Sequence, residues 1–107
     1  MAIAKAVIAS GQTTSGEIDL KGGAIVGLIT PSALTSTTVT FTASEKEGGT
    51  FVAVYDSAGN QISIAVAASQ AIGLSGADAD ALAPWSVIKL VGGSAEGAER
   101  IIYVKMK

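Results

Sequence analysis

Runs of apolar and β-branched residues alternate with clusters of glycine, serine, asparagine and aspartate along the chain. The runs are roughly four to eight residues long and recur about every ten residues, a spacing typical of antiparallel sandwiches and barrels. The clearest run covers residues 38–44, where Val39, Phe41 and Ala43 alternate with threonines. Such alternation predicts a strand with one buried face and one polar face.

The pattern predicts eight or nine strands, depending on whether residues 70–74 form one. They cover residues 4–10, 17–20, 24–30, 38–44, 50–55, 61–66, 70–74, 86–91 and 100–106. The strands between residues 38 and 66 are expected to form a meander, and the last two to pair with each other. Residues 24–30 are nearly all apolar, which predicts a strand covered on both faces. Ser75 is placed to cap at most one short helical turn near residues 76–82.

No segment has the pattern of the long helices that connect parallel strands, so we predict an all-β, antiparallel sandwich. A jelly-roll order and an immunoglobulin-like order both fit this spacing of turns. With 107 residues the chain has room for one core, and we expect a single domain over residues 1–107.

The charge content argues against several classes of function. Charged residues make up 15% of the chain, and 7 basic against 9 acidic residues give a net charge of -2. This balance does not attract a phosphate backbone, so nucleic acid is not an expected partner. The chain has no cysteine and no histidine, and therefore lacks the commonest metal ligands and the commonest general base. We expect no enzymatic activity, no metal and no cofactor.

Two stretches without charged residues, 22–44 and 58–77, approach the length of a membrane span. Both contain polar residues throughout, so neither offers the roughly 20 consecutive apolar residues that a spanning helix needs. We therefore expect no membrane as a partner. Residues 1–11 are predicted to begin a strand rather than to form a secretory leader, because the apolar run is short and weakly basic at its start.

Three aromatic side chains are candidates for contact with a ligand or a partner. Trp85, the only tryptophan, follows a proline just before a predicted strand. This position suits a sugar platform or an interface anchor, and equally a core aromatic that plugs one end of the sandwich. Tyr55 and Tyr103 have the same alternatives.

Charged residues in the loops are expected to be solvated rather than catalytic. Asp78 and Asp80 are too few for a calcium loop and favour the start of a helix instead. Glu45 and Glu47 lie in a predicted turn, without the burial that a catalytic carboxylate pair needs. Arg100, the only arginine, is expected to lie at a subunit contact or to form an ion pair. Its candidate ion-pair partners are Glu99, Glu96 and Asp56.

Serine and threonine dominate the polar positions in the first half of the chain. They are Thr13, Thr14, Ser15, Thr30, Ser32, Thr35, Ser36, Thr37, Thr38, Thr40 and Thr42. Free monomeric domains stay soluble through interspersed charge, which this surface has little of. We therefore expect part of the exterior to be covered by copies of the chain or by a larger partner, which would also protect exposed strand edges.

Several of the strand and turn residues occur in an order that resembles a known group of proteins. The matching positions are Gly27, Leu28, Ile29 and Pro31; Val39, Thr40, Phe41 and Ser44; Gly49, Thr50, Phe51, Val54, Asp56 and Gly59; and Arg100, Ile101 and Ile102. This order is similar to that of small tailed-phage virion proteins and extends over most of the chain. The chain departs from it at residues 32–35, where Leu34 stands in place of an expected large aromatic residue.

The resemblance implies a jelly-roll or galactose-binding-like sandwich and a structural role in many copies at the surface of a phage particle. The leading expectation is a head decoration (cement) protein that binds the shell and its own copies. A tail-associated structural protein is the first alternative. The second is a carbohydrate-binding module, in which Trp85, Tyr55 or Tyr103 stacks on a sugar while Asp56 or Asn60 bonds its hydroxyls. An enzyme is least expected, because a nucleophile and base without histidine or cysteine would require a buried lysine.

Overall fold

The computed structural model describes residues 2–107, which fold into two antiparallel β-sheets packed as a sandwich. The strands are β1 (Ala2–Ile8), β2 (Ile18–Asp19), β3 (Ile25–Ile29), β4 (Thr38–Ser44), β5 (Val52–Ala53), β6 (Ser63–Ala65), β7 (Ala71–Gly73), β8 (Val87–Gly92) and β9 (Arg100–Met106). The helix α1 (Gly76–Leu82) lies between β7 and β8. The all-β antiparallel sandwich and the short helix near residues 76–82 are thus confirmed.

The strand order is that of a jelly roll. Sheet A contains β1, β9, β3 and β7 in that order, and sheet B contains β2, β8, β4 and β5, with β6 also beside β4. The pairs are nested: β1 with β9, β2 with β8, β3 with β7, and β4 with β5 and β6. The chain is therefore one long antiparallel hairpin whose successive strand pairs alternate between the sheets, as in a jelly roll. The immunoglobulin-like order is not found.

Two of the strand pairings expected from the sequence are wrong. β8 and β9 do not pair with each other, because they lie in different sheets, and β8 instead pairs with β4 and β2. In the expected meander, the pairing of β4 with β5 is confirmed, and Tyr55 lies opposite Gln61 across the turn at residues 56–60. β6 itself, however, pairs with the first half of β4 rather than with β5. β4 is seven residues long, which is enough to carry both short strands end to end.

Side chains from the inner faces of both sheets form one core. Phe41 of β4 is completely buried, as are Ile102 and Val104 of β9, so the alternation read from the sequence gives the correct inner faces. Leu82 of α1 is also completely buried and joins the same cluster. Leu34, which stands where the resemblance led us to expect an aromatic residue, packs against this core.

The outer face of sheet B is polar and carries little charge. Thr40 and Thr42 of β4 lie on this face, where they pair with Val91 and Lys89 of β8. The ammonium of Lys89 lies 4.5 Å from the centre of the Phe51 ring, a cation–π contact that covers part of the same face. Thr40 and Thr42 are half-buried, and Ser15, Thr30 and Ser36, which the sequence placed among the surface residues, are buried. The serine- and threonine-rich surface is therefore smaller than predicted.

A buried carboxylate joins the loops at one end of the sandwich. Glu96 is only 1% exposed. Its oxygens accept hydrogen bonds from the backbone amides of Thr35 (2.8 Å) and Ser36 (2.9 Å), the Ser36 hydroxyl (2.8 Å) and Arg100 Nε (3.1 Å). These contacts connect the segment before β4 to the loop before β9. We call this cluster of Glu96, Thr35, Ser36 and Arg100 the Glu96 clamp.

The backbone of Glu96 extends the clamp to a third loop. The Gly11 amide donates to the Glu96 carbonyl (2.7 Å), and the Glu96 amide donates to the Gln12 carbonyl (3.1 Å). Burial by itself raises the pKa of the Glu96 carboxyl. The hydrogen bonds from the Thr35 amide, the Ser36 hydroxyl and amide, and Arg100 outweigh burial and lower this pKa from 4.5 to about 2.

We expect the fold to lose stability as the pH falls from about 4.5 to about 2, because the pKa of Glu96 is near 4.5 in the unfolded chain and about 2 in the folded one. The stabilisation is complete above the unfolded pKa and is lost as the pH falls through the folded pKa. A pKa difference of this size corresponds to roughly 3 kcal/mol. Urea unfolding at a series of pH values measures this loss.

Glu96→Gln should lower the free energy of unfolding at pH 7 by about 2–4 kcal/mol, because it removes the charge and places an amide N–H2 among donors. It should also remove most of the acid dependence. Glu99→Gln, at an exposed neighbouring position, is the matched control and should behave as wild type. A Glu96→Gln protein with wild-type stability at pH 7 would contradict the clamp.

Candidate functional site

The candidate side chains from the sequence lie in three separate places. Trp85 and Tyr55 line the same cavities at the end of the sandwich opposite to the Glu96 clamp. Tyr103 lies on the outer face of sheet A. Arg100 belongs to the Glu96 clamp, where its Nε lies 3.1 Å from Glu96 Oε1. Of the three candidate partners named from the sequence, Arg100 therefore contacts Glu96.

Two adjoining cavities, with volumes of about 460 and 450 Å³, share Tyr55 and Trp85 in their walls. We call the two together the Trp85 cleft. The first cavity runs along the end of β4 and the strand β5, and the second runs between the turn after Tyr55 and α1. Each volume is within the range of sites that hold a small ligand or an inserted side chain.

Local hydrogen bonds hold the walls of the Trp85 cleft in place. Trp85 Nε1 donates to the Ala81 carbonyl (2.8 Å) near the end of α1, which fixes the indole ring. Asp56 Oδ1 accepts from the backbone amides of Ala58 and Asn60, both at 2.9 Å, which fixes the turn that follows Tyr55. Trp85 is 38% exposed and Tyr55 is 55% exposed. Neither is a core plug, which was the alternative for both residues.

The Trp85 cleft is acidic. Asp56 and Asp80 line its second cavity, which has no basic residue in its described wall, while the first cavity has Glu45 and Lys46. Within residues 2–107 the only salt bridge is the one in the Glu96 clamp, so these carboxylates have no basic partner there. The same described range contains no group of three or more metal-ligating residues.

The outer face of sheet A is apolar and exposed. Tyr103 is 39% exposed there, and Ile3, Val7 and Ile29 are also exposed large apolar side chains. The strand register places Tyr103 between Lys5 and Ile29, with Val7 opposite Ile101 in the next row. We call this surface the sheet A face; its side chains are Ile3, Lys5, Val7, Ile29, Ile101, Tyr103 and Lys105.

The charge on the sheet A face is positive. Lys5 and Lys105 project from it, and its four strands contain no aspartate or glutamate. Beside Lys105, Gly27 and Gly73 leave a shallow hollow of about 260 Å³. A Cβ atom at Gly27 would lie 3.0 Å from the Ile72 carbonyl oxygen, a tight approach, whereas one at Gly73 would have no atom within 4 Å. The face thus combines apolar contact area, two cations and a hollow.

Sequence reasoning singled out Tyr103 but missed Ile3, Val7 and Ile29. The signal was present, because residues 24–30 have the apolar pattern of a strand covered on both faces. The structure corrects that expectation in part: Ile29 is 40% exposed on the outer face of β3, whereas Gly27 on the same face is buried. An exposed apolar residue in a strand of this kind indicates a surface suited to a partner.

Comparison of the chain with known protein families, curated proteins and solved structures finds no match. Over residues 2–107, no helix has the length and apolar character that a membrane crossing needs.

Trp85→Ala should destabilise the fold less than Phe41→Ala does. Phe41 is completely buried, whereas Trp85 is 38% exposed on the wall of the cleft. We expect a loss of about 3–5 kcal/mol for Phe41→Ala and of roughly 1–2 kcal/mol for Trp85→Ala. Urea unfolding followed by circular dichroism measures both, because the Trp85→Ala protein has no tryptophan fluorescence. Equal losses would show that Trp85 acts as a core residue.

Proposed function

We propose that this protein is a non-enzymatic structural protein of a tailed-phage particle, which decorates the capsid shell in many copies. The observation that carries the proposal is the sheet A face, an exposed apolar surface built on four strands without a single acidic residue. The strand and turn residues resemble those of small tailed-phage virion proteins, and this resemblance is why we propose a phage particle.

The size of the sheet A face suits a protein interface. A stable interface of standard size takes about 800 Å² from each partner, which is roughly one seventh of the 5516 Å² that this chain exposes. The molecule measures 32 × 29 × 28 Å, so such a contact needs most of one side. The exposed apolar residues of sheet A lie on three neighbouring strands, so one contact of this kind can cover all of them.

The most buried ionised group favours a structural role over catalysis. The Glu96 carboxylate accepts four hydrogen bonds within the clamp, and these bonds lower its pKa. The charged carboxylate therefore serves to hold the loops together rather than to react with a substrate. Repetition on a shell adds a further advantage, because many modest contacts between linked copies give high avidity without any single tight site.

A carbohydrate-binding module is a second candidate, supported by one observation. Trp85, Tyr55 and Asp56 line the same cleft, which is the combination of stacking surfaces and hydroxyl acceptor that the sequence suggested. Tyr103 lies on the sheet A face instead, and Asn60 does not line either cavity. A glycan array with wild-type protein and Trp85→Ala tests this candidate; binding that depends on Trp85 would support it.

Replacing apolar residues of the sheet A face should abolish binding to shells. We expect wild-type protein to sediment with capsid shells that lack it, and the triple variant Ile3→Thr/Ile29→Thr/Tyr103→Thr to remain in the supernatant. Threonine keeps a high strand propensity, so the fold should persist.

The control for this experiment is Ser63→Thr/Ala65→Thr, at exposed positions of β6 in sheet B, which should sediment as wild type. Binding to purified tails in place of shells would favour the tail-associated alternative. Wild-type protein that sediments with neither particle would overturn the proposed function.

A further inference from the structure

We propose that the Trp85 cleft of one copy receives the sheet A face of a second copy, so that the protein associates head to tail. The inference rests on the proposed function in one respect, namely that the chain works in many copies. It assigns the sheet A face to the contact between copies, so the triple variant of that face should leave the shell because its copies no longer hold one another there and avidity is lost.

The exposed apolar side chains divide between these two surfaces. Seven large apolar side chains are exposed in the described chain. Four belong to the sheet A face: Ile3, Val7, Ile29 and Tyr103. The other three, Val52, Tyr55 and Trp85, line the Trp85 cleft. Two different apolar patches, one on a sheet face and one at an end of the sandwich, are what the two halves of a heterologous interface require.

The charges on the two surfaces are complementary. The sheet A face carries Lys5 and Lys105 and no acidic residue. The second cavity of the cleft carries Asp56 and Asp80 and no basic residue in its described wall. Complementary charge steers the encounter of two such surfaces and fixes their register. Two copies of the same surface would instead bring like charges together, which disfavours an isologous contact.

The two lysines of the sheet A face lie close to each other. Lys5 pairs with Tyr103, and Lys105 pairs with Ile3, so the two lysines are diagonal neighbours on β1 and β9. Diagonal neighbours have Cα atoms about 7–8 Å apart. The two cavities adjoin one another at Tyr55 and Trp85. We expect a lysine of the sheet A face to enter the second cavity, where Asp56 and Asp80 lie, rather than the first, which already contains Lys46.

The aromatic rings in the wall of the cleft suit an ammonium group. Tryptophan and tyrosine rings attract a cation through their faces, and the aliphatic stem of lysine packs on apolar surface. The chain already makes this kind of contact internally, with Lys89 over Phe51 at 4.5 Å. A neutral sugar would use the rings but would leave Asp56 and Asp80 without a counter-charge. For this reason we assign the cleft to a lysine-bearing surface rather than to a glycan.

The test uses one variant for each surface, Lys5→Glu/Lys105→Glu for the face and Asp80→Lys for the cleft. All three lie on the surface, so the fold should persist. Sedimentation velocity over a concentration series should show that wild-type protein associates, and that association weakens with added salt. Each variant alone should associate at least about ten-fold more weakly. An equimolar mixture of the two should recover association, because each retains the half that the other lacks.

The same sedimentation measurement is made on control variants. Lys21→Glu and Glu99→Lys, exposed residues outside both surfaces, should associate as wild type. Trp85→Ala is a second cleft variant and should weaken association without changing charge. Wild-type protein that is monomeric throughout overturns the inference. So does association that survives both cleft variants, or a cleft that binds glycans while association is unaffected by Trp85→Ala.

Failure of this inference is distinguishable from failure of the proposed function. Protein that sediments with shells but remains monomeric alone overturns only the head-to-tail contact. Protein that associates as described but binds neither shells nor tails overturns only the virion role.

Discussion

The buried carboxylate of Glu96 is the contact on which the arrangement of the loops depends. In a nested jelly roll the outermost pair, β1 and β9, joins opposite ends of the chain, so closing it costs considerable chain entropy. Glu96 lies where the loops after β1, before β4 and before β9 converge, and it bonds to all three. A buried charge is tolerated only when fully hydrogen-bonded, so this carboxylate strongly favours one arrangement of the loops.

Among residues 2–107, the opposite end of the sandwich has no comparable clamp, and it is there that the Trp85 cleft opens. The helix α1 is short, and its N-cap Ser75 makes no side-chain capping bond. Its neighbours are the hairpin turn after Tyr55 and the end of β4, and the space between these elements is not filled by side chains. The domain therefore combines one end with tightly joined loops and another end with room for an inserted group.

Sequence periodicity predicted strands well but could not assign them to sheets. Residues 38–44 and 100–106 were predicted with the observed bounds, because alternation with one buried face leaves a clear pattern. The pairing of the last two strands was wrong, since the loop between them crosses from sheet B to sheet A and nothing in its local composition marks a crossing.

Trp85 and Tyr55 were predicted as candidates, but their meeting in one cleft depends on the rolled topology. Glu96 was named only as a partner of Arg100, because an acidic residue in a loop of small residues carries no sign of burial.

The same topology disfavours association by strand addition. Three of the four outer edges are very short: β2 and β5 have two residues and β7 has three, and β6 beside β5 also has three. Short edges offer few free backbone groups to a neighbouring strand, and the longer edge strand β1 carries Lys5, a residue that discourages pairing. On the outer face of sheet B, the Thr40 hydroxyl donates to the Val91 carbonyl (3.4 Å), and the Thr42 hydroxyl is buried without a hydrogen-bond partner among the described residues. The exposed apolar area is concentrated on the sheet A face and in the Trp85 cleft, so a chain with little surface charge has two defined places to associate and few others.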